Sequence, residues 1–248
     1  MLHIDLNCDM GEGIGNEETL MPFISSANIA CGYHAGDATE MKRVVDLCIK
    51  YNVAIGAHPS FLDKENFGRT EMHLSTEEVY HLVKKQIEIL NTITIAAGAT
   101  MHHVKPHGAL YNMAAKDAAL ANTIAKAIKD FNSSLIFYGL SGSVMIDEAN
   151  ELGLQTANEF FADRTYQPDG LLTPRTQPAA LITDTAAAIQ QVHQMINNKT
   201  VTATDGTTIA IKTDTVCIHG DGKYAIEFAK ALHNSLQSAG IIIQKIDY

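Results

Sequence analysis

Hydrophobic and polar positions along this chain follow two alternating rhythms. Short runs rich in β-formers occur at 2–8 (LHIDLNC), 26–31 (SANIAC), 53–57 (VAIGA), 101–105 (MHHVK), 135–139 (LIFYG), 154–160 (LQTANEF), 215–219 (TVCIH) and 241–246 (IIIQKI). Between them lie longer helical patterns at 37–52, 75–98, 113–131, 141–152, 183–196 and 221–240. Ser75-Thr76-Glu77-Glu78 reads as a capping box, and Gly98 and Gly240 stand where helices end in left-handed backbone. Strands alternating with helices predict βα units and a parallel sheet. One insertion breaks the rhythm: 199–214 (KTVTATDGTTIAIKTD) alternates around Asp205-Gly206, which predicts a β-hairpin with a two-residue type I′ turn. The sequence shows no internal repeats and no low-complexity segment.

Two parallel architectures compete. A doubly wound sheet places a Gly-rich fingerprint after its first strand, but Gly11-Glu12-Gly13-Ile14-Gly15 is followed by Asn16 and is not GxGxxG. A (β/α) barrel instead collects functional side chains at the C-terminal ends of many strands. Here polar residues repeat at those ends: Asp5, Asn7 and Asp9 on the first strand; Asn28, then Cys31 and His34, after the second; His58 on the third. Lys105 and His107 end the fourth, Asp163 and Arg164 follow the sixth, and His219 and Asp221 follow the seventh. Parity agrees, since side chains alternate between the faces of a strand. Asp5, Asn7 and Asp9 oppose Ile4, Leu6 and Cys8, and His103, Lys105 and His107 oppose His102, Val104 and Pro106. The polar set is expected to face the lumen of a barrel spanning 1–248 as one domain.

Composition narrows the partners. The chain has 18 Lys+Arg against 28 Asp+Glu, a formal charge of −10. An acidic surface argues against nucleic acid and anionic membranes. The scattered cysteines Cys8, Cys31, Cys48 and Cys217 form no CxxC and suit a reducing compartment. The start MLHIDLNCDM lacks the cations and apolar run of a signal peptide, and no stretch approaches the ~18 apolar residues of a membrane helix. A cytoplasmic location is expected.

Lys105 therefore needs a local explanation, and so do its neighbours. Asp5 and Asp9 lie on one strand face, where buried acids require partners. Asp37 suits a helix N-cap better than a ligand role. The segment 56–70 (GAHPSFLDKENFGRT) carries His58 and ends in a long loop with Arg69, which can grip an anion bidentately or form a surface ion pair. The segment 163–175 (DRTYQPDGLLTPR) reads as a structured loop with charged tips, and Asp221 can cap the last helix. His73, His81, His193 and His233 fall on or beside helices, where solvated or core positions suffice. No HExxH, cysteine-based zinc pattern, GxSxG or Walker A motif is present, so any use of ATP requires a non-P-loop site or a partner protein.

Six motifs occur in order: DLNCDMGEG, SANIACGYHAGD, GAHPS…FGR, HVKPHGALYN, FADRTYQPDG and HGDG. Together they resemble the LamB/YcsF family over essentially the whole chain. Tyr33 stands where the family often has Phe, and Thr70 where a second arginine is common. The resemblance implies an irregular seven-stranded parallel (β/α) barrel of the glycoside hydrolase/deacetylase type. It also implies ATP-dependent opening of 5-oxo-L-proline (pyroglutamate) to L-glutamate, with two partners, 5-oxoprolinase subunits B and C, that phosphorylate the lactam. On that reading Lys105, Arg69, Arg164 and Arg175 hold the carboxylate and phosphate of the intermediate. Asp9, His34, His58 or His107 activates water, and Asp163 or His219 protonates the departing group. Asp5, Asn7, Glu12, Asn28 and Asp221 complete the expected substrate site. A metal-dependent deacetylase or amidohydrolase is the nearest rival, with a divalent metal on Asp9, His34 and His58. The second rival is a non-catalytic scaffold within the enzyme complex.

Overall fold

A computed structural model describes residues 2–220 and 225–248. In chain order the elements are β1 (His3–Met10), α1 (Glu17–Leu20), a 3-10 turn (Met21–Phe23), β2 (Ser26–Ala30), α2 (Ala38–Tyr51), β3 (Ala54–His58), α3 (Thr76–Ala96), β4 (Met101–Val104), α4 (Gly108–Ala114), α5 (Ala118–Phe131), β5 (Ile136–Leu140), α6 (Val144–Glu151), β6 (Thr156–Phe161), α7 (Thr185–Asn198), β7 (Thr200–Thr202), β8 (Thr208–Ala210), β9 (Thr215–Ile218), α8 (Ala225–Ser238) and β10 (Ile242–Ile243). Seven parallel strands follow in the order β1-β2-β3-β4-β5-β6-β9, and β9 returns to β1 to close the barrel. The eighth expected strand is the two-residue β10, which pairs with the start of β1 through His3 and Ile242.

The two faces of β1 explain the layering. Ile4, Leu6, Cys8 and Met10 are buried in the main hydrophobic cluster with residues of the surrounding helices. Each fully buried large aliphatic side chain contributes about 1.5–3 kcal/mol. The opposite face sends Asp5, Asn7 and Asp9 inward. The lumen is consequently filled by a polar network and not by the aliphatic layers usual in a closed barrel. At its floor Ile136, Tyr138 and Ala157 form a small separate cluster closed by Ile246.

Two local expectations are corrected. The single helix expected at 113–131 is two: α4 begins earlier, at Gly108, and the chain breaks before Asp117, whose carboxylate accepts from Leu120 N and caps α5. An internal cap is the reason, because an Asp that satisfies the amides of a new helix competes with continuation of the old one. The hairpin is present, as β7 antiparallel to β8. Its turn, however, runs from Ala203 to Gly206, closed by Gly206 N–H to Ala203 O, with Ala203 N–H donating to Thr207 O. Within it positive φ falls on Gly206 and not on Asp205, whereas a type I′ turn needs it at both central residues. The helix expected to begin at 221 is described from Ala225, and Asp221 lies outside the described residues.

Capping at Ser75 is as the sequence specifies: its hydroxyl accepts from Glu78 N while the Glu78 carboxylate accepts from Ser75 N. Gly108 is demanding in a different way. Its φ is +58°, and a Cβ there would lie 2.4 Å from Gly68 O. Two substitutions separate these effects in urea melts. Ser75→Ala is expected to lose about 0.5–2 kcal/mol from the cap alone. Gly108→Ala is expected to lose more than about 1 kcal/mol, from left-handed strain and the clash together.

Candidate active site

The ladder of β4 continues past the strand's last residue. Lys105 N donates to Ala57 O (2.9 Å) and His107 N to Pro59 O (2.8 Å), so the chain stays extended through Pro106. Lys105 is thereby carried into the lumen, where it is 2% exposed. Its ammonium lies 2.9 Å from Asp9 Oδ1, 2.8 Å from Glu159 Oε1, 3.1 Å from Cys217 Sγ and 3.3 Å from Asn7 Oδ1. The Glu159 contact is an ion pair by distance, without the directionality of a hydrogen bond. The Phe161 ring lies beneath, 5.3 Å from Nζ to its centroid. Burial pulls the Lys105 ammonium towards neutrality, but Asp9, Cys217 and Glu159 outweigh it and hold its pKa well above the usual value. At Asp9 burial pushes the carboxyl up, and His58 and Lys105 overcome this and hold it well below the ordinary range.

Beneath this pair the polar layers continue. Asn28 Nδ2 donates to both Asp9 Oδ1 (2.8 Å) and Asn7 Oδ1 (2.7 Å). Asn7 Nδ2 donates to Thr215 Oγ1, which donates to Asp5 Oδ2. Asp5 also accepts from Ser25, Ser26 and Tyr138 and sits deep in the lumen, away from the mouth. Burial pushes its carboxyl up despite these donors.

Above the pair, three imidazoles and a carboxylate meet. The imidazoles of His34 and His107 stack at 3.8 Å, with planes 5° apart. His34 Nε2 is 3.3 Å from Glu12 Oε1, and His107 Nδ1 is 3.7 Å from the same atom. His58 Nδ1 lies 2.7 Å from Lys105 O and His107 Nε2 lies 2.9 Å from Phe67 O. Carbonyls only accept, so both of those nitrogens carry hydrogen. The other nitrogens, His58 Nε2 and His107 Nδ1, then face each other at 2.8 Å, and His58 Nε2 also lies 3.3 Å from Asp9 Oδ2. Burial first, and then neighbouring imidazoles, hold His34 and His107 well below the ordinary histidine pKa. Lone pairs that converge beside a carboxylate fit a cation. One ligand atom each from Glu12, His34, His58 and His107 lies within 4.8 Å of the others. Of the metal candidates expected from sequence, His34 and His58 are in this group. Asp9 is instead grouped with Cys217 and His219, with its Oδ1 held by Lys105 and Asn28.

The remaining wall comes from the loop after β6 and from the end of β9. His219 Nδ1 donates to Asp163 (2.8 Å), and its Nε2 lies 3.1 Å from Arg175 Nη2. Burial raises the Asp163 carboxyl, but His219 outweighs it and lowers it overall. The Arg164 guanidinium is buried and donates to the carbonyls of Thr173 and Ala180, so it folds this loop, with its pKa lowered to about 10 mainly by burial. Arg69 stands over Phe67, 5.0 Å from its ring centroid. A cavity of about 650 Å³ opens between these groups and is lined by Asp9, Glu12, His58, Arg69, Lys105 and His219 among others.

Sequence reading did not single out Glu159, Phe161 or Cys217 as site residues. Glu159 left a signal: an acid of the same parity as Ala157 and Phe161, inside a strand of a parallel barrel, has nowhere to point but the lumen. Asp37 caps α2 as expected, accepting from Thr39 N and Glu40 N. His193 and His233 make ordinary bonds, to Ser235 Oγ and Phe23 O.

Comparison with known proteins agrees with this geometry. The LamB/YcsF family model matches residues 4–248. An Oceanobacillus iheyensis protein, named as the A subunit of 5-oxoprolinase, is 53% identical over 247 residues, 98% of this chain and 96% of that protein. The crystal structure of a lactam utilization protein from Thermus thermophilus superposes with a TM-score of 0.91 at 40% identity, covering 99% of this chain and all of that one. A family 4 carbohydrate esterase from Streptomyces lividans shares the barrel alone, with a TM-score of 0.52 at 13% identity over 99% of this chain and 93% of the other. The motifs at the barrel mouth and these full-length matches place the chain in the LamB/YcsF family.

Proposed function

We propose that this chain is the A subunit of a 5-oxoprolinase and that it completes ATP-dependent hydrolysis of 5-oxo-L-proline to L-glutamate together with subunits B and C. The observation that carries the reading is a barrel mouth that joins an oriented Asp163–His219 pair to nearby cations, in a chain about half identical to proteins of that name. ATP is assigned to the partner subunits, since this sequence has no P-loop. A cytoplasmic setting suits its buried free cysteines, and no helix among the described residues is long and apolar enough to cross a membrane.

The chain's own groups have distinct tasks. Arg69 and Arg175 at the rim bind the carboxylate and phosphate of a phosphorylated lactam. Lys105 already has four partners, so its first task is to fix Asp9. His219 Nδ1–H donates to Asp163, which leaves Nε2 as the acceptor; Arg175 Nη2 occupies it at 3.1 Å until the arginine turns to the substrate's anion, and Asp163 stabilises the imidazolium that forms. His219 takes the proton of the attacking water as oxygen adds to the lactam carbon. It returns that proton to the ring nitrogen as the C–N bond breaks, and the acyl phosphate left behind is hydrolysed by a second water to the side-chain carboxylate and free phosphate. Glu12, His34, His58 and His107 are the residues that would hold a divalent ion, which when bound would polarise the reacting oxygen and acidify water.

Turnover is expected only when ATP and subunits B and C are supplied, measured as glutamate released from 5-oxo-L-proline. His219→Ala is expected to lower kcat by about 10²–10⁴, and full turnover in that variant would remove His219 from the chemistry. Elemental analysis of the purified protein should find a divalent metal, lost in His58→Gln/His107→Gln; an unchanged content would place the metal elsewhere. Lys105→Met should cost about 3–5 kcal/mol in urea melts, because it strands the buried Asp9 and Glu159. Adding Glu159→Gln to that variant should recover part of the loss.

A further inference from the structure

A second pair of facing histidines lies below the mouth. His102 and His103 are neighbours on β4, and their Nδ1 atoms are 3.1 Å apart. His102 Nε2 is 2.8 Å from Ile246 O, which can only accept. His103 Nε2 is 2.8 Å from Asn28 Oδ1. The Asn28 amide cannot be turned around, because its Nδ2 already faces two acceptors, Asn7 Oδ1 and Asp9 Oδ1. Both Nε2 atoms therefore carry hydrogen, and the Nδ1–Nδ1 contact needs one proton more. The pair holds three N–H hydrogens, one more than two neutral imidazoles have. Burial, with the charges of His102 and Lys105, drives His103 towards its neutral form. The extra proton lies between the two Nδ1 atoms.

The fold is shaped around this ring. Tyr138 stacks on His103 at 4.1 Å, with planes 15° apart, and donates its hydroxyl to Asp5. On the adjacent strand, a Cβ at Gly56 would lie 2.0 Å from His103 Nε2, so only glycine leaves room for the imidazole. On the outer side, a cavity of about 460 Å³ at the barrel floor is lined by His102, Ile136, Ile246 and Tyr248, the last two from the C-terminal segment. That segment is tied down by Tyr248 Oη to Thr156 O as well as by His102.

We propose that His103 is a positioning residue for the reaction: through Asn28 it fixes the Asp9 carboxylate, and so Lys105, and through His102 it ties that geometry to the C-terminal segment. The chain of contacts is Ile246 O, His102, His103, Asn28, Asp9 and Lys105, which runs from the floor of the barrel to its mouth. Without the His103 N–H, Asn28 Oδ1 is left buried and unpaired, and the amide is held through its two Nδ2 bonds alone. Asp9 then loses the fixed direction of its Asn28 donor. The catalytic consequence rests on the reading of the mouth as a 5-oxoprolinase site; the hydrogen-bond chain does not.

Two experiments separate those levels. Nitrogen-15 NMR of the whole protein at neutral pH should show His103 with hydrogen on Nε2. An Nδ1–H tautomer at His103 would overturn the proposal, whatever the activity. In the complex with subunits B and C, His103→Leu is expected to lower kcat about 10- to 100-fold with KM nearly unchanged, as for a sub-ångström to 1 Å displacement of reacting groups. Gly56→Ala, which displaces the ring without deleting it, should lower kcat in the same way, and His103→Gln, which keeps an N–H donor, should restore part of the loss. Unchanged kcat in both His103→Leu and Gly56→Ala rejects the positioning role. If the wild-type complex turns over no 5-oxo-L-proline, the functional reading fails on its own. The side-chain amide signal of Asn28 and the Nζ signal of Lys105 then decide: both must shift in Gly56→Ala, and unshifted signals reject the proposal.

Discussion

A single ammonium buried in the lumen governs the rest of this barrel. Lys105 is removed from water and can remain charged only because Asp9 and Glu159 meet it at hydrogen-bonding distance. Stripping an ion of water costs several kcal/mol even after relaxation, so the lumen has to supply compensating groups from several strands. Asn7, Cys217 and the face of Phe161 complete that shell. The layers below are amides and hydroxyls: Asn28 supports the Asp9 oxygen that Lys105 holds, and Thr215, Ser25 and Ser26 satisfy Asp5, which the ammonium does not reach. A network of this kind is rigid when complete and unfavourable when any member is missing.

The same device appears at both ends of the lumen. Carbonyl or amide oxygens fix the tautomers of two histidines so that their remaining nitrogens confront each other. At the mouth the oxygens are Lys105 O and Phe67 O, and at the floor they are Ile246 O and Asn28 Oδ1. The surroundings differ, and with them what resolves the confrontation. The upper pair meets Glu12 and His34, a set of donors that suits a divalent cation. The lower pair is flanked by the Tyr138 ring and the bare Cα of Gly56, and a proton suffices.

Much of this was legible in the chain. The parity of Asp5, Asn7 and Asp9 against Ile4, Leu6 and Cys8 already sorts lumen from helix layer, because the alternation of side chains along a strand is local. Lys105 and His107 fall on one side of an extended chain for the same reason. Arg164 shows where such reading stops. Its position after a strand suggested an anion grip, whereas its guanidinium is spent on the carbonyls of Thr173 and Ala180, atoms brought near by the course of the loop. Glu159 was passed over because nothing in its own strand names its partner, which lies far earlier in the chain at Lys105.

The sequence by itself determined the order of strands and helices, the inward polar face and the family to which the chain belongs, since periodicity and motif are properties of neighbouring residues. Tertiary structure alone decided which of those inward groups meet. Closure of β9 onto β1 brings Cys217 beside Lys105, and the register of β2 sets Asn28 against Asp9. The break before Asp117 and the glycine-bearing turn of the hairpin were likewise settled by capping and twist, not by hydrophobic pattern. Charge, tautomer and hydrogen-bond direction depend on atoms a few ångströms apart in space and far apart in sequence, and those distances are fixed only when the barrel closes.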